Sequence, residues 1–224
     1  MRAKYFLTFM LLALCLSFSP TAAVAGEDQT DSEPRPPAPP ILENFQATPQ
    51  LSLFPRLGDF RPEEDEERLP FWNTYREHLL KTSGVVLTDS VTGNRAFSFR
   101  GIKGIDSTGF FAPLAVEPGK NYLLKLKLKA ELEDAENTGV GVLEFHDFLW
   151  IAEQYTESLH QTYFLGAQEL LRINGTKGWQ NFEFNFTTGA QTGMIHLIFF
   201  REGQTISREP VMLDDISLTE TLIE

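Results

Sequence analysis

Tyr122-Leu123-Leu124-Lys125-Leu126-Lys127-Leu128-Lys129-Ala130-Glu131-Leu132 is the stretch whose reading decides the fold. Tyr122, Leu124, Leu126, Leu128 and Ala130 recur at every second residue, and Lys125, Lys127 and Lys129 fill the positions between them. A strict period of two belongs to a β-strand with one buried face and one wet face.

Short runs of the same kind extend outward on both sides. Upstream, Leu53 to Phe60 reads as an entry strand and turn, and Val85 to Thr88 as a strand before the turn Thr92-Gly93-Asn94. In Arg95 to Gly101, Phe97 and Phe99 share a face, and Phe110 to Val116 closes on the turn signature Glu117-Pro118-Gly119-Lys120. Downstream, Val140 to Phe148 alternates, and Phe182, Phe184 and Phe186 alternate with Glu183 and Asn185 after the turn Asn174 to Gly178. Met194 to Phe200 is apolar almost throughout, as a central strand covered on both faces would be. Arg61 to Arg68 reads as a charged, solvated loop, Thr74 to Lys81 as a short helix, and Trp150 to Leu171 as a long loop holding a short strand or helix. Many short strands with Gly, Pro and Asn turns predict an all-β sandwich of two antiparallel sheets.

The last run, Val211 to Glu220, contains two adjacent carboxylates. Strand residues alternate faces, so one of Asp214 and Asp215 must meet the packed side, where a bare carboxylate is costly. Either a neighbouring loop hydrogen-bonds it or a cation neutralises it. Both readings stand at this point.

The chain opens as a secretory signal over residues 1–25. Arg2 and Lys4 form a positive n-region, Tyr5 to Phe18 an apolar run, and Ala23-Val24-Ala25 a cleavage site before Gly26. This predicts a secreted or periplasmic protein, cleaved after Ala25, with no later segment long enough to span a bilayer. A lipid anchor at Cys15, the only cysteine, would need a small residue before it, and Leu14 is not small. Residues 26–50, acidic and then proline-rich, are expected to be an extended linker, with a single folded domain over 51–224. Formal charge is −12, and −14 without Arg2 and Lys4 (17 basic residues against 31 acidic). That balance argues against nucleic acid or an anionic membrane as a partner.

Four landmarks resemble carbohydrate-binding modules of the cellulose- and xylan-binding type, which have a galactose-binding-like jelly roll. They are Leu57-Gly58-Asp59-Phe60 with Leu69-Pro70-Phe71-Trp72, Glu117 to Tyr122, Gly175-Thr176-Lys177-Gly178-Trp179, and Leu213-Asp214-Asp215-Ile216. The resemblance implies a jelly-roll β-sandwich and one structural calcium ion between the opening segment and the closing strand. Asp214, Asp59 and Glu63 are its candidate ligands. Arg61 and Leu57 depart from the family's usual Glu and Asn, which removes one expected ligand.

A sugar site wants aromatic platforms beside planar polar groups. Trp150 and Tyr155, with Tyr163, fall in the irregular stretch and are candidate platforms; a loop Trp that plugs the sandwich end is the competing reading. Trp72 and Trp179 read as core or sheet-edge packing. Arg100, Glu144, His146 and Asn185, together with Ser98 and Glu183, are expected to line one concave face if their strands share a sheet; an ordinary solvated face is the alternative. No nucleophile elbow, His-Glu-x-x-His or phosphate loop is present, so no enzyme is expected, with an unfamiliar hydrolase or lyase as the weaker reading. Two functions therefore stand side by side: non-catalytic carbohydrate binding, or a cell-envelope protein-interaction or structural module on the same fold.

Overall fold

The computed structural model describes residues 39–58, 71–146, 162–203 and 209–221, all within one folding unit, Pro36–Glu224. Residues 1–38, which include the expected leader and most of the proline-rich stretch, lie outside the described residues. Among the described residues, eleven strands and one helix follow in order: β1 (Ile41–Glu43), β2 (Phe54–Leu57), α1 (Trp72–Thr82), β3 (Gly84–Leu87), β4 (Arg95–Phe99), β5 (Ser107–Ala115), β6 (Asn121–Ala130), β7 (Asn137–Phe145), β8 (Phe164–Asn174), β9 (Lys177–Thr187), β10 (Met194–Glu202) and β11 (Val211–Thr221). No helix among the described residues is long and apolar enough to cross a membrane.

All strand pairs are antiparallel. One sheet runs β3-β4-β11-β6-β9, with β1 also paired to β11; the other runs β2-β5-β10-β7-β8. From β4 to β7, successive strands fall in alternate sheets, and so do β8 to β11. This is a jelly-roll β-sandwich. The alternation of β6 sets its inner face as expected: Tyr122, Leu124, Leu126, Leu128 and Ala130 are buried, and Lys125 is exposed. Opposite them, Phe110 and Ala112 of β5, Val140 and Val142 of β7, and Ile195, Leu197 and Phe199 of β10 complete the core. Phe110 packs edge-on against Phe97 at 4.9 Å between ring centres. Each such buried Phe contributes about 1.5–3 kcal/mol.

Two expectations are corrected. The folded part begins at Ile41, not Leu51, because Ile41, Leu42 and Glu43 pair with Leu218, Ser217 and Ile216. Phe45 and Leu51 are core residues. Glu43 is buried, and its carboxylate accepts the main-chain N–H groups of Phe45, Gln50 and Leu51. Such a short strand exists only because β11 supplies its partners. The second correction is within the Trp150 to Leu171 stretch, read as a long loop holding a short strand or helix: its later part belongs to a strand of 11 residues, β8 (Phe164–Asn174). Two register shifts against β7 interrupt its alternation, and a bulge of this kind hides the period of two.

Gly139 of β7 shows how closely the sheets are built. An added Cβ would meet the Leu171 carbonyl and lie 2.5 Å from the Phe200 ring. Gly139→Ala is expected to lower unfolding free energy by about 2–3 kcal/mol in urea titration. Unchanged stability would contradict this packing.

Candidate functional site

The outer faces of the two sheets differ in chemistry. On the β6 sheet, Lys125 pairs with Glu183 at 2.9 Å and Lys127 with Asp215 at 2.6 Å, and Asn185 is exposed. That is an ordinary wet face. On the β10 sheet, Phe111, Leu143, Phe145, Met194, Ile198 and Phe200 form a second buried apolar cluster, with Tyr163 and Phe164 packed against it.

Strand register assembles an aromatic ladder on this second face. Phe54 of β2 is the register partner of Phe111 of β5, and Phe145 of β7 pairs with Phe164 of β8. His196 of β10 stands between them. Ring centres follow at 5.6 Å from Phe54 to Phe111 and 4.5 Å to His196, then 4.4 Å to Phe145 and 6.0 Å to Phe164. Each of the five strands contributes one ring. Phe54 is 43% exposed, so one end of the ladder opens to solvent.

A row of successive register partners, Arg56, Gly109, Phe200, Gly139 and Arg172, runs beside the ladder with an arginine at each end. The Arg172 guanidinium lies 4.9 Å over the Phe200 ring and pairs with Glu169 and Glu202. The Glu169 hydrogen bond is the foremost cause that raises its pKa further. His196 is 3% exposed, and its Nε2 has no hydrogen-bond partner among the described residues. Burial, and then the charge of Arg56, lowers its pKa to about 3. It is a neutral imidazole clamped between two phenyl rings.

The polar residues expected to share one concave surface do not. Glu144 is buried: Oε1 accepts Gln168 Nε2 at 2.5 Å, and Oε2 accepts Gly189 N at 2.7 Å and Thr192 Oγ1 at 2.6 Å. It pins β7 to β8 and to the β9–β10 turn. His146 is exposed just beyond β7, and its N–H donates to the Tyr163 carbonyl at 2.8 Å across the base of the connection to β8. Arg100 is exposed after β4, and its carbonyl accepts from Thr108. Asn185 and Glu183 are on the other sheet, as is the buried Ser98. A jelly roll sends neighbouring strands into opposite sheets, so their wet faces look in opposite directions. Trp179, on the edge strand β9, is 40% exposed and is not core. Trp150 and Tyr155 lie outside the described residues. Phe54, Phe111, His196 and Arg56 carry no local signal of a site in the sequence; only cross-strand register brings them together.

Of the candidate calcium ligands, Asp59 and Glu63 lie outside the described residues. Asp214 is buried, and its carboxylate accepts Asn94 Nδ2 at 3.1 Å and Asp215 N at 2.8 Å. No three acidic, His or Cys side chains converge on a metal-sized space among the described residues. Donors of N–H aimed at the carboxylate do not fit a calcium ion, which needs several oxygen ligands.

No protein-family model matches the chain, and no curated protein matches it. Among solved structures, it is similar to the CBM22-1 and GH10 modules of Clostridium thermocellum endo-1,4-beta-D-xylanase 10B complexed with xylohexaose. The match has 12% identity and a TM-score of 0.46 over 62% of this chain, and the chain spans only 24% of that one. It is also similar to a family 16 carbohydrate-binding module, with 19% identity and a TM-score of 0.40 over 72% of this chain and 97% of that one. A family 4 module matches at 16% identity and a TM-score of 0.40 over 82% of this chain and 95% of that one. The assignment of the fold rests on the strand order and register above.

His196 makes stability depend on pH. Its folded pKa of about 3 lies below the ordinary 6.5, so between these values the unfolded chain binds a proton that the folded chain refuses. Stability is therefore lost as pH falls below 6.5, by at most about 1.4 kcal/mol per pH unit, and this loss levels off near the folded pKa. His196→Phe is expected to flatten the urea-stability profile between neutrality and mild acid. Identical slopes in the two proteins would contradict the burial of a neutral imidazole.

Proposed function

We propose that this chain is an exported, non-catalytic module that binds a polysaccharide or oligosaccharide across the outer face of the β10 sheet. The observation that carries the reading is the open end of the ladder, where Phe54 is 43% exposed and seated on Phe111; Phe111, His196 and Phe145 are buried and hold it in place. The outer face of an antiparallel sheet is ordinarily solvated, as the β6 sheet is here. An aromatic row on such a face matches the apolar faces of a sugar chain. Trp150 and Tyr155, the platforms that the sequence suggests, lie outside the described residues. Export rests on the leader signals at Arg2, Lys4 and Ala23 to Ala25. Non-catalytic action is supported by how the buried acids among the described residues are used: Glu43, Glu144 and Asp214 accept hydrogen bonds, and Glu136 pairs with the buried Arg201. Glycoside hydrolysis needs two carboxylates set across the scissile bond.

One observation favours a second reading, a protein partner. Edge strand β3 exposes Val85, Val86 and Leu87, with Leu80 and Val91 also exposed. The other edges are guarded: β2 has Pro55, β8 has bulges with Glu169 and Arg172, and β9 has Asn181, Glu183 and Asn185. An unguarded apolar edge is suited to adding a strand from another chain.

The test is a broad glycan array with the wild type, Phe54→Ala and Trp150→Ala. Selective binding is expected, weakened about ten-fold, or 1.4 kcal/mol, by each substitution. Binding that neither change affects would remove the site from this face. No binding by folded protein would contradict the sugar reading and leave the β3 edge as the functional surface.

A further inference from the structure

We propose that the junction between the opening and closing strands is sealed by two side-chain amides, Gln46 and Asn94, in place of the calcium ion that the family resemblance implies. The sandwich then closes without a cation.

On one edge of β11, β4 pairs as far as Leu213, and β1 takes over at Ile216. Asp214 and Asp215 occupy the gap between the two part-strands. A calcium ion there would need about six to eight oxygens at roughly 2.3–2.6 Å. The groups around the gap are instead arranged about nitrogen. Gln46 Nε2 has three acceptors within reach, the Asn44 carbonyl at 2.8 Å, Asn94 Oδ1 at 3.1 Å and the Arg95 carbonyl at 3.1 Å, and its two N–H bonds are shared among them. Asn94 Nδ2 in turn donates to Asp214 Oδ2 at 3.1 Å and to Thr88 Oγ1 at 3.2 Å. The second carboxylate oxygen of Asp214 accepts Asp215 N, and both oxygens of Glu43 accept main-chain N–H groups.

A continuous relay therefore runs from the segment after β1, through the β3–β4 turn, to β11. Its direction is determined by donor and acceptor count. Turning the Asn94 amide around would set its oxygen against the Asp214 carboxylate and its amino group against Gln46 Nε2. The remaining acid, Asp215, already has a cation in Lys127, whose pKa is raised chiefly by that hydrogen bond. Every oxygen that would ligate an ion from Asp214 or Asn94 faces a donor.

The test uses the purified, processed protein and calcium alone as probe. The wild type is expected to melt at the same temperature in millimolar calcium and in EDTA, and to bind no stoichiometric calcium in equilibrium dialysis. Asn94→Asp sets a carboxylate against Asp214; it is expected to melt several degrees lower in EDTA and to recover part of the loss with calcium. If Asn94→Asp does not fold, Gln46→Glu replaces it in the same comparison. A wild-type melting temperature that rises with calcium, or one equivalent bound, would overturn the proposal. So would an Asn94→Asp protein that melts like the wild type in EDTA.

Discussion

The constraint on which the structure turns is that two adjacent acids sit in the strand that holds one sheet together. β11 has β6 along one edge and both β4 and β1 along the other, so any fault in it reaches three neighbouring strands. Before the acids, Val211 and Leu213 face the core; after them, Ile216 and Leu218 do. That switch from odd to even positions requires one extra residue. Asp214 pairs with Lys127 and Ser217 with Lys125, so Asp215 and Ile216 together face Leu126. The extra residue is absorbed at Asp215, whose φ is 47°. Without this bulge, Ile216 and Leu218 would turn to the solvent side. The bulge also separates the two acids, leaving Asp215 in water beside Lys127 and Asp214 buried against Asn94.

The same strand arithmetic makes the two outer faces unlike. β6 alternates leucine with lysine, which leaves its outer side wet. β10 is apolar at both odd and even positions, so its sheet carries aromatic side chains on both sides. The inner side makes the core. The outer side gathers Phe111, His196 and Phe145 into a stacked row that the edge residue Phe54 extends toward solvent. Most of that side is a second buried cluster, and Phe54 is the rung that opens it to solvent.

Much of the fold was legible in the sequence. β6 and β10 could be read almost to their ends, since leucine alternation and a continuous apolar run are strong local signals. β1 could not, because three residues beside a proline-rich stretch acquire their meaning from β11. β8 could not, because its bulges break the period. The site was less legible than the fold. Glu144 looked like a groove residue by alternation, yet it is a buried acceptor for three donors, two of them from the distant β9–β10 turn. The ladder depends on the pairing of strands remote in sequence, and no single stretch contains it.

The central claim, that the outer face of the β10 sheet takes a sugar chain, is tested most directly by residue-resolved NMR. The oligosaccharide selected on the array would be titrated into labelled protein. The largest shift changes should fall on Phe54, Phe111, His196, Phe145 and Phe164, and the His196 imidazole signals should move with saturation. Changes concentrated instead around Lys125, Glu183 and Asn185, or along β3, would contradict the account.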